Sequence, residues 1–220
     1  MSQKRVAVVL CGCGHRDGSE VRESVGVLWA LSAEGASVRC FAPDAPLLDV
    51  RDHLTGDARP ETRNQLQESA RIARGAVEPL AKLDPKDFDA LVMPGGFGAA
   101  RNLCDFASKG IRGTVIPELQ RAIDAFVAQK KPIGAVCIVP ALMAIALKDA
   151  KLELTLGPAG ETAQEIEKLG HKHVVCKADE CHVDRAHKLV TTPAYMIGDA
   201  PLHAIFEGIR RCVHETLALA

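Results

Sequence analysis

The stretch RVAVVLCGCGHRDGSEVRESVGVLWALSAEG, residues 5–35, decides the fold. Arg5 to Leu10 is a continuous apolar run rich in valine and bounded by the turn-prone GCGHRDGS. Such a run reads as a strand buried on both faces, which implies a parallel sheet. Ser19 to Glu34 follows as a helix, with Val21, Val25, Leu28 and Leu31 at helical spacing and Gly35 as its stop.

The same alternation continues along the chain. SVRCFAP from Ser37 reads as a strand, PETRNQLQESARIARG from Pro60 as a helix and FDALVMPGG from Phe88 as a strand. A helix starts at Pro117, with proline at its favoured first position, and PIGAVC is the next strand. IVPALMAIALKD is a short apolar helix, and LELTLG, ETAQEIEKLG and HVVCK read as strand, helix and strand. CHVDRAHKLVTTP looks like a hairpin, and a last helix runs from about Asp199 to Leu219. This order predicts one α/β domain over residues 1–220, flavodoxin-like and doubly wound, with a mostly parallel sheet and helices on both faces. Asp44 to Arg59 is the least regular stretch and is expected to cross the active face.

A chain of 220 residues buries roughly 70% of its unfolded surface, so its stability needs neither metal nor disulfide. Its 27 basic and 28 acidic residues nearly cancel, and no block of like charge argues for nucleic acid or anionic membrane as a partner. The apolar run near the N-terminus is too short for a signal peptide or a membrane span, so a cytoplasmic protein is the expectation. The eight cysteines are then expected to be reduced thiols.

In open α/β sheets, ligands bind where strands end and helices begin. Three turns qualify: Gly12 to Glu20, Pro94 to Ala100, and Cys137. Cys137 precedes a helix whose free N–H groups would stabilise a thiolate, although a buried cysteine is more often a small hydrophobe. The glycines of PGGFG let backbone amides approach a ligand, and with the amide after Cys137 they can hold an oxyanion. The loop fits neither the dinucleotide fingerprint nor the P-loop. Gly95, Phe97 and Asn102 are the candidates for lining a substrate pocket. Glu20 has two readings, a helix cap within Asp17–Glu20 or a carboxyl that moves protons beside the thiol. His171, His173, Cys176, Cys181, His182 and His187 crowd one region, but their spacing lacks the paired elements of a zinc site. Cys11 and Cys13 read as packing or turn residues, with the resolving of an oxidised Cys137 as a weaker alternative.

Together these motifs resemble the PfpI-type, class I glutamine amidotransferase-like superfamily, and within it the ElbB family of enhancing lycopene biosynthesis proteins. The resemblance rests on GCG..DGSE (12–20), HLTG (53–56), ETRN (61–64), ARI.RG (70–75), PGGFGAA.NL (94–103), CI.PA (137–141) and TTPAYM (191–196). It implies Cys137 as nucleophile, Glu20 as its partner carboxyl, and Gly96 and Ile138 as amide donors. It further implies a homodimer and a glyoxalase that forms glycolate from glyoxal, with a small dicarbonyl substrate and no cofactor or metal. The link to isoprenoid metabolism in the family name has no residue behind it.

Three departures narrow the function. Ile138 stands where proteolytic members carry histidine. The downstream His-x-Glu of glutamine amidotransferases is absent, with His214 directly adjacent to Glu215. Ala135 and Val139 replace the glycines that flank the nucleophile in G-x-C-x-G. A competing expectation is a redox-responsive or chaperone-like protein acting through oxidation of Cys137.

Overall fold

The computed structural model describes residues 3–220. A seven-stranded sheet in the order β10-β11-β7-β6-β1-β2-β5 forms the centre. Its strands are β1 (Arg5–Val9), β2 (Ser37–Ala42), β5 (Val77–Pro79), β6 (Ala90–Met93), β7 (Ile133–Val136), β10 (His182–Asp184) and β11 (Leu189–Thr192). Every pair is parallel except the β10–β11 hairpin at one edge.

The continuous apolar strands are explained by cover on both faces. Val6 and Val8 of β1, with Leu10 just after it, point into one core with Val27, Ala30 and Leu31 of α1 (Val21–Ala33) and Ile205, Ile209 and Val213 of α7 (Leu202–Ala218). Ala7, Val9 and Cys11 point into the other, against Leu119, Ile123 and Phe126 of α4 (Pro117–Ala128) and the apolar α5 (Val139–Ala146). Successive strand residues face opposite ways, so a strand between two helical layers needs apolar residues at each position.

Three expectations are corrected. In α1 the buried stripe is Glu23, Val27, Ala30 and Leu31, whereas Val21, Val25 and Trp29 lie exposed. LELTLG and HVVCK do not join the main sheet. They contribute only β8 (Glu153–Leu154) and β9 (Lys172–His173), paired with each other on either side of α6 (Glu161–Glu167) in sequence. The helix expected from Pro60 starts later, as α2 (Gln65–Ile72), because the Asn64 side chain accepts the Gln67 N–H as its cap.

The irregular stretch after β2 holds a small hairpin, β3 (Val50–Arg51) with β4 (Ala58–Arg59). It is tied down by the Leu48 N–H on Asn102 Oδ1 (3.0 Å) and the Arg51 N–H on Asp17 Oδ2 (2.8 Å). A one-turn helix, α3 (Phe106–Lys109), follows the glycine loop after β6. Among the described residues, no helix is long and apolar enough to cross a membrane.

Candidate active site

Because β7, β6 and β1 are parallel neighbours, with Met93 beside Ala135 and Val8 beside Val92, their C-terminal ends form one edge. The three turns meet there. The Glu20 N–H donates to Gly95 O at 2.9 Å and the Phe97 N–H to His15 O at 2.8 Å, locking the first turn onto the glycine loop. Gly96 has φ +104, and a Cβ on it would lie 2.4 Å from Glu20 N, so the turns can close only around glycine.

Cys137 is the single residue between the end of β7 and Ile138, the N-cap of α5. Its φ of +62 lies in the left-handed region, which L-residues seldom adopt. Such strain costs of order 1–3 kcal/mol and persists where the surroundings over-determine it, commonly at functional sites. Here the Cys137 N–H is fixed on Thr192 O at 2.9 Å. The turn forms without flanking glycines, since Ala135 and Val139 fit wholly inside the core. The backbone N–H groups of Gly96 and Ile138 lie close enough to the sulfur to favour its ionised form.

The carboxyl that meets the sulfur is Glu23, and this corrects the expectation for Glu20. Glu20 is itself the N-cap of α1, its Oε2 accepting the Glu23 N–H at 2.6 Å, in place of the Asp17–Glu20 capping box that the sequence suggests. Glu23, one helical turn on, is fully buried beside Cys137. Its Oε2 accepts the Gly95 N–H at 3.0 Å and its Oε1 the Tyr195 N–H at 3.1 Å. Gly95 is the spacer of the pair. A Cβ there would stand 2.4 Å from Cys137 Cβ and 2.7 Å from Glu23 Oε2.

Burial, with the nearby Glu20 charge adding to it, pushes the Glu23 carboxyl up to about 8. Burial, then the Glu23 charge, pushes the Cys137 thiol well up, and the Gly96 and Ile138 amides pull only partly against this. The thiolate expected from the helix terminus is therefore corrected. The sulfur is enclosed and faces a carboxyl, and both penalties disfavour a second negative charge. Near neutrality both groups therefore hold their protons, and once the pair has lost one of them a thiolate at Cys137 means a protonated Glu23.

A carboxyl raised on folding favours the folded state at low pH, and that advantage declines from the ordinary value of 4.5 until the folded value of about 8 is passed. Glu23→Gln should remove this decline. Measured by denaturant unfolding, the variant is expected to gain on the wild type by up to about 1.4 kcal/mol per pH unit across that window. A constant offset is expected beneath the gain, because glutamine has only one acceptor for the Gly95 and Tyr195 amides. A pH-independent difference would contradict a buried, protonated Glu23.

The remaining candidates fall into place around the pair. Phe97 is half-exposed and lines a cleft beside the loop. Asn102 is a buried strut, donating Nδ2–H to Asp17 O at 2.7 Å and accepting from Leu48, which corrects its expected place beside substrate. Cys11 lies in the core with its thiol against Ser19 Oγ at 3.5 Å, and burial pushes it up to about 12. His171 is held between Leu152 N–H and Ala144 O, and His187 lies on Asp184 at 2.7 Å. Among the described residues, no group of three or more His, Cys, Asp or Glu is placed to hold a metal. His214 pairs with Glu34 at the far end of α1. Eleven residues separate Glu34 from Glu23, about 16 Å along the helix, so His214 cannot serve Cys137.

No family model matches the chain. It is similar to the ES1 protein homolog, mitochondrial, of Rattus norvegicus, at 45% identity over 98% of this chain and 84% of the relative. The glutamine amidotransferase-like class 1 domain-containing protein 3, mitochondrial, of Homo sapiens is 45% identical over 98% and 83%. Among solved structures, an isoprenoid biosynthesis protein with amidotransferase-like domain from Ehrlichia chaffeensis superposes with TM-score 0.91, at 37% identity over 98% of this chain and 99% of that one. The architecture is thus the mostly parallel, flavodoxin-like α/β fold of the class I glutamine amidotransferase-like proteins. The cytoplasmic expectation is corrected by the same relatives, both of which are named mitochondrial. That expectation rested on a short apolar run near the N-terminus, which does not distinguish one compartment from another.

Proposed function

The chain belongs to the ES1 protein family, whose human member is named for a class 1 glutamine amidotransferase-like domain, and from that premise we propose a glyoxalase that makes glycolate from glyoxal at Cys137 and Glu23. The observation that carries the reading is the buried Glu23 carboxyl on the Cys137 sulfur, facing two backbone amides. It supplies a nucleophile, a proton carrier and an oxyanion site within one contact shell. The ElbB assignment is part of the same proposal.

The steps balance as follows. With the pair's proton on Glu23, the thiolate adds to one aldehyde carbon, and the Gly96 and Ile138 amides hold the alkoxide until Glu23 protonates it. Glu23, now a carboxylate, removes the hydrogen from the sulfur-bearing carbon to give the enediolate. After a proton shifts between the two oxygens and the proton on Glu23 exchanges with solvent, Glu23 protonates the neighbouring carbon, leaving a glycolyl thioester on Cys137. Water, deprotonated by Glu23, releases glycolate and the thiol. The net change is addition of water to glyoxal, and no external electron acceptor or donor takes part.

The departures noted in the sequence support this over proteolysis or glutamine hydrolysis, since Ile138 and the distant His214 leave Cys137 without an imidazole base. Purified protein given glyoxal in buffer free of glutathione and metal is expected to form one glycolate per glyoxal consumed. Glyoxal left unchanged by folded protein with a titratable Cys137 would overturn the proposal.

A further inference from the structure

Beside the glycine loop lies a cleft of about 430 Å³, lined by His15, Arg16, Arg51, Gly56, Phe97 and Arg101. Its size is that of small-molecule sites, about 300–1,000 Å³. Arg51 and Arg101 share one carboxylate, Asp49, with the Arg101 Nη2 at 2.9 Å. Asp17, behind them, is buried; it accepts the Arg51 N–H and lies 3.6 Å from His53 Nε2. The arginines therefore outnumber the carboxylates around the cleft.

Arg16 is the uncommitted cation. Among the described residues it makes no ion pair, and its Nε is buried with no hydrogen-bond partner. Its guanidinium lies over Gly56, where a Cβ would come within 2.8 Å of Nη1. A buried donor left unsatisfied costs of order 1–3 kcal/mol, and nothing in the fold compensates Arg16 for it. The neighbourhood is electropositive: the His15 imidazole is held below its ordinary value by burial and then by the charges of His53 and Arg16. Arg101 stands 5.8 Å from the Phe97 ring centroid, which steers its planar fork.

We propose that this cleft binds the carboxylate or phosphate of a small molecule, with Arg16 and Arg101 as the gripping residues and Phe97 as its wall. Guanidinium forks match planar carboxylate and phosphate edges with paired N–H donors, which fits two arginines in one small cavity. Phe97 directly follows Gly96, so the anion sits beside the loop that serves Cys137. The site stands independently of the chemistry assigned to that thiol.

The test is isothermal titration calorimetry at low ionic strength with inorganic phosphate and, separately, succinate. Saturable binding is expected, weakened by added salt and by about tenfold or more in Arg16→Gln and in Arg101→Gln. Cys137→Ala and the remote Arg39→Gln should bind as the wild type does. The first of these keeps the cleft testable whether or not the enzyme turns over glyoxal. Binding of phosphate alone assigns a phosphorylated ligand, and of succinate alone a carboxylate. Circular dichroism checks each variant, and Arg16→Lys, which keeps charge but loses the fork, replaces Arg16→Gln if that chain does not fold. No saturable binding of either anion, or equal binding by the arginine variants, overturns the proposal. Dimerisation reversed by phosphate would overturn it too, by giving the cleft to an acidic surface of a second copy.

Discussion

Cys137→Ala is expected to lower glycolate formation from glyoxal by about 10³-fold or more, equivalent to about 4 kcal/mol of transition-state stabilisation. The reason is chemical and not structural. Cys137 is the only atom source for the thioester, and no neighbouring thiol can replace it, since Cys11 packs in the core on Ser19. Alanine also keeps the Gly96 and Ile138 amides in place, so the loss should come without unfolding. The left-handed backbone at this position, φ +62, is retained by either side chain. Stability is expected to rise slightly in the variant, because burying a thiol against a carboxyl is unfavourable. A Cys137→Ala protein that still forms glycolate at the wild-type rate would remove the nucleophile from the scheme.

Glu23→Gln is the second large effect, a fall of about 10²–10⁴-fold in kcat, the usual contribution of a positioned acid or base. Glutamine keeps the volume and one hydrogen-bond acceptor but cannot carry a proton between the two glyoxal carbons. Glu20 separates the accounts. Glu20→Ala removes the N-cap of α1 and should cost about 1 kcal/mol of stability while leaving turnover largely intact. Its charge also helps to raise the Glu23 carboxyl, so the variant's pH–rate profile should move toward acid. If Glu20→Ala were the dead variant and Glu23→Gln the active one, the proton carrier would have to be reassigned.

The contrast between these two glutamates shows where the sequence is informative. The run Arg5 to Leu10 announces a doubly covered strand, because only that setting tolerates apolar residues at every position. The three turns are equally legible, since glycine and strand-ending cysteine mark places where backbone must approach a ligand. The identity of the carboxyl is written in the pattern of α1. Glu23, Val27, Ala30 and Leu31 lie at i, i+4, i+7 and i+8, one face of α1, and that face is the buried one. The alternative stripe through Val21, Val25, Leu28 and Leu31 leaves Glu23 off the core face, and Glu20 is named instead by the DGSE turn and the family resemblance. A charged residue in register with a better apolar stripe is the signal that identifies Glu23.

Other features were not legible for a physical reason. The cleft with Arg16, Arg51 and Arg101 is assembled from three separate segments, and only the folding of the β3–β4 hairpin over the glycine loop brings them together. Burial of the sulfur is likewise a tertiary property. Local sequence supplies the amides that favour a thiolate, whereas enclosure and Glu23, which oppose it, come from the packed edge of the sheet. The short β8 and β9 show the same limit, for Leu152, Leu154 and Leu156 of the LELTLG segment cover the core without entering the main sheet.

The most direct measurement is proton NMR of glycolate formed from glyoxal by the wild-type protein in D2O, without glutathione or metal. An enediolate whose carbon is reprotonated by Glu23 is expected to place solvent deuterium on the glycolate carbon, and Glu23→Gln should form little product of either kind. Glycolate that carries no deuterium would mean direct hydride transfer between the two carbons and would contradict the role given to Glu23.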